Sequence, residues 1–529
     1  MYFLPIELVL LVAIIGIATY AFGLVLYRLF FAPLSGFPGP KFAAATGWYE
    51  FYYDYWLNGK YIFKIEEMHK KYGELRESRE IMTRYLIMNT QGPIVRVNPE
   101  ELSIHDPDFY NEIYVTESKR RTNNYDVYCK GIDFDGSHFL TTDHDLHRRR
   151  RKPLEPFFSR MGISRLQPML IEVVKKLEQR LVEYKGTDKA IRLDHAFSAF
   201  SGDIISKICW EDENEFLDDA SFAPEWYNVI HMIARSVPLF TGFPLLVQIL
   251  GYIPESILLW AFPQGQHFTR FKTIAHQNIL KAKQEKSATK NKSTAANEHV
   301  SLFRFIVNSD MPESELSDDR LTKEAQVILA AGTASSARAL SFISYYILAN
   351  EHIRTRLQGE LKEVMGAWPH KTPSWADLER VQYLQALIKE GLRLSYGVMH
   401  RLPRVSPDLP IKYKQWTIPP GAAVGMSAYF MHSDANVYPK PEEFIPERWL
   451  GNINPAMYKS YVPYCRGSRN CLGVNLAQAE MSLALAVLFR PNGPILKLYK
   501  TSERDVKQVH DFVLPLPDVR TKGVRITVV

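Results

Sequence analysis

Cysteine is scarce in this chain. Its 529 residues hold four, Cys129, Cys209, Cys465 and Cys471. None stands in a C-x-x-C pair, which excludes a zinc ribbon and a dithiol redox site. So few cysteines in so long a chain suit a reducing compartment. Charge of one sign is lacking too: 64 basic and 58 acidic residues leave only +6, too little to argue for nucleic acid. Neither an internal repeat nor a G-x-G-x-x-G dinucleotide motif occurs. With 46% hydrophobic and 23% charged residues, a disordered, collagen-like or small disulfide-stapled chain is excluded. The length allows a large core, as one domain or as two or three smaller ones.

Residues 8–27 (LVLLVAIIGIATYAFGLVLY) carry no charge. Twenty helical residues span roughly 30 Å, the thickness of a bilayer core. A cleaved signal peptide would have a shorter apolar run behind a basic stretch. Here Glu7 precedes the run and no Lys or Arg does. Residues 1–31 are therefore expected to form one transmembrane anchor, and Arg28 and Lys41 place the body on the cytosolic side. Pro33, Gly36, Pro38, Gly39 and Pro40 make 32–44 a stiff hinge ahead of a soluble body, 45–529.

Short alternating runs at 92–105 suit a small sheet. From about 160 to 395 apolar residues recur at helical spacing, with one long helix over 320–349. Residues 284–298 lack large apolar side chains and read as a mobile surface loop. Beyond 395, short strand candidates alternate with irregular stretches up to a last helix at 472–489. The fold class is mainly α (α+β): a large helical domain with a small β-rich domain. Residues 73–91 interrupt this pattern. Deleting them would give the continuous run K-Y-G-P-I-V-R, so the segment is expected to be an insertion, either a translated intron or an ordinary surface loop.

Cys471 lies in Tyr464-Cys465-Arg466-Gly467-Ser468-Arg469-Asn470-Cys471-Leu472-Gly473, just ahead of that last helix. Gly467 and Gly473 suit a tight loop with close backbone approach. A helix start and nearby Arg469 favour a thiolate at Cys471. Taken alone, the residue is either an axial ligand for haem iron or a buried structural cysteine. The segment resembles F-x-x-G-x-R-x-C-x-G, the haem-binding signature of the cytochrome P-450 superfamily, with Tyr464 in place of Phe. Leu476, Ala477 and Glu480 continue the match as L-A-x-x-E. The resemblance implies haem b held by a Cys471 thiolate, with Tyr464, Gly467, Arg469 and Gly473 around it. Cys465 has no part in the motif and reads as structural.

Four further motifs resemble the family. Glu390-Gly391-Leu392-Arg393 is similar to its E-x-x-R, and Pro441 to Trp449 to its P-E-R-F region, which implies a buried network of Glu390, Arg393 and Arg448. His147 and Arg151, at H-x-x-x-R spacing, and Arg404 correspond to residues facing the haem propionates. The other residues of the run from Arg148 to Lys152 are then expected to point outward, as a docking surface for an acidic redox partner. Ala330 to Ala337 are eight small residues in mid-helix, explained either by close helix packing or by a groove for O2 and substrate. They resemble A-G-x-[D/E]-T-[T/S], which implies that Gly332, Thr333 and Ser335 are catalytic. Ala334 replaces the usual acid and Ser335 the usual Thr. Ser335 can still pass a proton, whereas Ala334 cannot.

What the resemblance implies is a haem-thiolate monooxygenase of a fungal secondary-metabolism type, with 45–529 as its catalytic domain. One atom of O2 would enter a hydrophobic small-molecule substrate, terpenoid or polyketide-derived, and the other would leave as water. Electrons would come from a separate NADPH-dependent flavoprotein reductase, and membrane lipid would hold the protein at the endoplasmic reticulum. By similarity the substrate pocket would draw on 121–140, 226–246, 327–335, 397–402 and 512–516, with Tyr128, Phe134 and Val398 as lining residues. A haem-thiolate isomerase or dehydratase needing no external electrons, and a non-catalytic haem-binding membrane protein, are the alternatives.

Overall fold

In the computed structural model, residues 6–82, 93–116, 118–129, 134–210, 215–263, 265–289 and 301–529 are described. The uncharged run becomes a 25-residue helix, Ile6–Phe30, with no buried residue, long and apolar enough to cross a membrane. The stretch behind it is fastened to the body rather than hinged away from it. Arg28 donates to the Ala45 carbonyl at 3.1 Å, and Arg96 donates to the Arg28 carbonyl at 2.9 Å and, through its backbone, to Pro38 at 2.6 Å. Gly39 sits so close to Arg96 that a Cβ there would lie 2.3 Å from its carbonyl oxygen.

Helix Asp318–Ala349 runs through the core, roughly 48 Å long at 1.5 Å per residue. Ser317 caps its start, accepting from the Arg320 N–H, and Asp318 and Asp319 meet the positive end of its dipole. It is as apolar as a membrane helix, but it is mostly buried and belongs to the main hydrophobic cluster. Helices Leu193–Cys209, Gln382–Ser395 and Val474–Phe489 surround it. Two glycines set the distances. A Cβ on Gly332 would meet Ile205 at 2.8 Å, and one on Gly391 would meet Ile343 at 2.1 Å.

The β-rich part is a five-stranded sheet whose spatial order is Ile94–Asn98, Glu101–Ile104, Ala423–Gly425, Arg404–Val405, Asn123–Asn124. All its pairs are antiparallel except Glu101–Ile104 with Ala423–Gly425. A three-stranded sheet and two hairpins complete it, one hairpin joining His510–Phe512 to Leu514–Leu516. Two expectations change. Helix Tyr61–Met82 continues through the first ten residues of the expected insertion, leaving 83–91 outside the described residues. Helix Gly265–Thr289 likewise takes the first part of the expected 284–298 loop, and 290–298 lie outside the described residues.

Glu390, Arg393 and Arg448 lie in one hydrogen-bonded cluster. The Glu390 carboxylate, fully buried, accepts from Arg393 at 2.8 and 2.9 Å, Arg448 at 2.9 Å, Trp449 Nε1 at 2.8 Å and the Ile445 N–H at 3.0 Å. Arg393 spends its other donors on the carbonyls of His432, Pro441 and Glu443. Removing one partner of such a set strands the others, a loss of about 3–5 kcal/mol. Glu390→Gln is expected to lower the unfolding free energy by that amount at pH 7, read as a lower urea midpoint. An unchanged midpoint would show that the network is dispensable.

Candidate active site

The cysteine loop is built on one glycine. Gly467 has φ +78°, and a Cβ there would lie 2.4 Å from the Val115 carbonyl oxygen, so only glycine fits. The Ser468 N–H donates to that carbonyl at 3.1 Å, and the Cys471 N–H returns to Tyr464 at 2.9 Å. Gly473 behaves differently from its expectation. It has no positive φ, and a Cβ there would meet nothing within 4 Å, so the space beside it is open. Cys471 itself is exposed by surface area, yet burial pushes its thiol up, against the Gly473 N–H and Arg151, which pull it down. A side chain both accessible and dehydrated borders an interior opening. Cys465 lies 3.6 Å from the Tyr110 hydroxyl. The Tyr464 hydroxyl accepts from Gln478 at 3.0 Å.

The central helix has a matching gap. Between Arg320 and Leu348 its only exposed residues are Ala331 and Ser335, one turn apart. Ser335 hydrogen-bonds back to the Ala331 carbonyl at 2.8 Å. The structure therefore opens Ser335 to free space but buries Thr333, whose hydroxyl has no partner among the described residues, and turns Gly332 against Ile205. Of the two explanations for the small-residue run, packing holds for Gly332 and an opening for Ser335.

His147, Arg151, Arg404 and Arg469 come together although they stand on three separate segments. His147 is buried with Nδ1 unpartnered among the described residues, and its pKa is pressed far down by burial and then by Arg469, His138, Arg151 and Arg404. The arginines are more committed than their motifs imply. Arg151 grips Asn470, through its carbonyl at 2.6 Å and its side chain at 2.9 Å, and reaches Glu155 at 3.1 Å. Arg469 donates to the carbonyls of Thr141, Thr142 and Asp143 at 2.7 to 3.1 Å. Arg404 donates to Asn124 at 2.9 Å. A buried imidazole with a spare nitrogen among cations suits an anion. Together with an accessible thiol and the open space at Gly473, this donor set fits a planar group bearing carboxylates.

Sequence reasoning missed three contributors. His432 takes the Val462 N–H on Nε2 at 2.9 Å and faces the Arg393 carbonyl with Nδ1 at 3.0 Å, joining the Glu390 network to the start of the cysteine loop. Asn470 links the loop to Arg151. Glu480, quoted only as a motif residue, is a buried carboxyl bonded to Ser201 at 3.3 Å and to Ser336, with one oxygen unpartnered among the described residues. Position alone signals none of these, because each works through a contact far away in sequence.

A separate cavity of about 400 Å³ draws on four of the five expected pocket segments, through Tyr125, Val237, His400, Arg401, Phe512 and Val513, and opens beside Arg28 and Trp48 near the apolar helix. Phe134 is part of the main core instead, and Val398 is half-buried. The Tyr128 side chain lies outside the described residues.

The family described as cytochrome P-450 matches residues 56–491. A cytochrome P-450 monooxygenase named oblB, of Aspergillus clavatus, is 51% identical over 513 residues, 96% of this chain and 95% of its own. The fusicoccadiene C-8 hydroxylase of Phomopsis amygdali is 47% identical over 510 residues, covering 95% and 93%. The stellatic acid synthase of Emericella variicolor is 41% identical over 535 residues, covering 97% and 93%.

Burial raises the Glu480 carboxyl from 4.5 to about 8. An acid raised on folding holds its proton more tightly in the native state. The stability it contributes is complete below its ordinary pKa and is lost as pH rises through about 8. Glu480→Gln is expected to remove that slope and to be more stable than wild type near pH 9, by on the order of a few kcal/mol. Parallel thermal-midpoint profiles of the two proteins from about pH 5 to 9 would contradict this.

Proposed function

This chain belongs to the cytochrome P-450 family and is a haem-thiolate monooxygenase, and we propose that Cys471 is the residue that would hold the haem iron and an apolar terpenoid hydrocarbon the substrate. The observation that carries the reading is an exposed Cys471 beside a cation cluster: Arg151 is hydrogen-bonded to Asn470, the residue before Cys471, and its charge acts on both Cys471 and His147. Haem iron, when bound, supplies the activation of O2 from which one atom enters the substrate. The chain's own residues do the rest. His147 has the free nitrogen for a propionate, while Arg151, Arg404 and Arg469 supply field more than free donors. Ser335 offers a hydroxyl on the open face of the central helix and can hold the water that passes protons. Ala334 supplies no acid, but Glu480, neutral near pH 7, bonds to Ser336, the residue beside Ser335. An acid thus reaches the same helix from its packed side.

Electrons are proposed to come from an NADPH-dependent flavoprotein reductase. Arg149 and Lys152 are the exposed members of the basic run available to an acidic partner, since Arg148 and Arg150 are held by Glu155 and Glu315. Membrane lipid, at the endoplasmic reticulum, is the proposed setting. Helix Ile6–Phe30 supports it, as do Phe42, Trp48, Trp56, Tyr252, Trp260 and Phe262, all more than half exposed. Trp48 meets Phe243 edge to face at 5.6 Å, joining the anchor-proximal part of this surface to the region after helix Pro224–Gly242. A hydrocarbon dissolved in lipid would meet the 400 Å³ cavity from that side.

The test is full-length protein in lipid with reductase, NADPH and fusicoccadiene, the hydrocarbon in the name of one relative. Incorporation of one labelled atom from ¹⁸O₂ is expected, and neither O2 uptake nor oxygenated product would contradict the reading. Ser335→Ala is expected to lower product formed per NADPH about tenfold or more and to raise peroxide release. Unchanged coupling would remove Ser335 from the proton route.

A further inference from the structure

The central helix carries a cation that no step above uses. Arg338 lies three residues beyond Ser335 and seven beyond Ala331, on the face those two residues open. Its Nη1 donates to the Pro515 carbonyl and its Nη2 to the Gly397 carbonyl, each at 2.6 Å. Its Nε is buried without a hydrogen-bond partner among the described residues. Dehydration lowers its pKa to about 9, and the neighbour that opposes the shift is Tyr227, not a carboxylate. A dehydrated cation held by neutral carbonyls is poor value as a stabilising contact. What it holds explains it better.

The Gly397 carbonyl lies in the loop after helix Gln382–Ser395, and the Pro515 carbonyl on strand Leu514–Leu516, just past the turn of its hairpin. Gly397 has φ +63°, and a Cβ there would lie 2.5 Å from the Pro463 carbonyl oxygen. Val513 has φ +70°, a conformation that a β-branched residue keeps only when its surroundings impose it. The Met399 N–H donates to the Val513 carbonyl at 3.3 Å, and His400 Nδ1 pairs with Asp511 at 2.9 Å, so the loops are bound to each other. Arg338 binds the pair to the helix that carries Ser335. The same loops supply His400, Arg401, Phe512 and Val513 to the 400 Å³ cavity.

We infer that Arg338 is a positioning residue: its forked donors fix loops 397–402 and 512–516 against the oxygen-side helix and so decide which carbon of the substrate is oxidised. The inference rests on the reading of these loops as substrate-pocket walls. A guanidinium suits the task because its two Nη atoms reach two separate acceptors in fixed geometry, which a lysine ammonium does not.

The test uses full-length holoprotein carrying Arg338→Lys or Arg338→Gln. Both are expected to keep the wild-type reduced carbon-monoxide spectrum. Amide hydrogen exchange should rise about tenfold or more in both loops together, the equivalent of one charge-assisted hydrogen bond. The fusicoccadiene concentration that half-saturates the spin-state shift should rise about tenfold, with a wider spread of hydroxylated isomers. Exchange at wild-type rates in both loops overturns the inference, as does an unchanged isomer ratio. Loss of haem from both variants overturns it too, because Arg338 would then belong to the scaffold. The exchange measurement needs no turnover. A wild-type protein that fails to oxygenate therefore counts against the monooxygenase reading, and the loop exchange still decides the role of Arg338.

Discussion

The charge balance at one sulfur, Cys471, is set between burial and the positive groups packed around it. Burial favours the neutral thiol at Cys471, while the Gly473 N–H and the Arg151 charge favour the thiolate. Arg151 meets this need from another helix, held in place by both acceptors of Asn470. The same arginine contributes to the field at His147, so the group that lowers the thiol also helps make a site for anions. A thiolate and the carboxylates of a cofactor would both call for positive charge at this site. A cation between them serves both.

The loop that carries the sulfur is positioned from a distance. Glu390 collects two arginines, an indole and a backbone amide, none of which could be buried without it. Arg393 passes the order on to the His432 carbonyl, and the His432 ring takes the Val462 N–H at the start of the cysteine loop. On the other side Gly332 lets helix Leu193–Cys209 approach closely, which leaves Ala331 and Ser335 as the open face of the central helix. Left-handed residues occur on both sides, at Cys465 in the cysteine loop and at Tyr396, Leu402 and Val513 in the segments beside the cavity.

Much of this was legible in the chain itself. The uncharged run gave the membrane-length helix, and the spacing of Glu390 and Arg393 gave a same-face pair. The cysteine segment carried the family likeness that the comparisons establish. Motif spacing says which residues share a region but not how their donors are spent. Arg151 and Arg469 were expected to face a cofactor, and most of their N–H groups are taken by Asn470 and by the carbonyls of 141–143. Thr333 and Ser335 looked alike in sequence, and the half turn of helix between them separates a buried hydroxyl from an open one. His432, Glu480 and Arg338 were silent because their partners lie tens to hundreds of residues away.

The most direct measurement is the reduced carbon-monoxide difference spectrum of the full-length protein beside Cys471→Ala and Cys465→Ala. Thiolate ligation by Cys471 predicts the red-shifted band in wild type and in Cys465→Ala, and its loss in Cys471→Ala. An intact band in Cys471→Ala, or its disappearance in Cys465→Ala alone, would contradict that assignment and the site built around it.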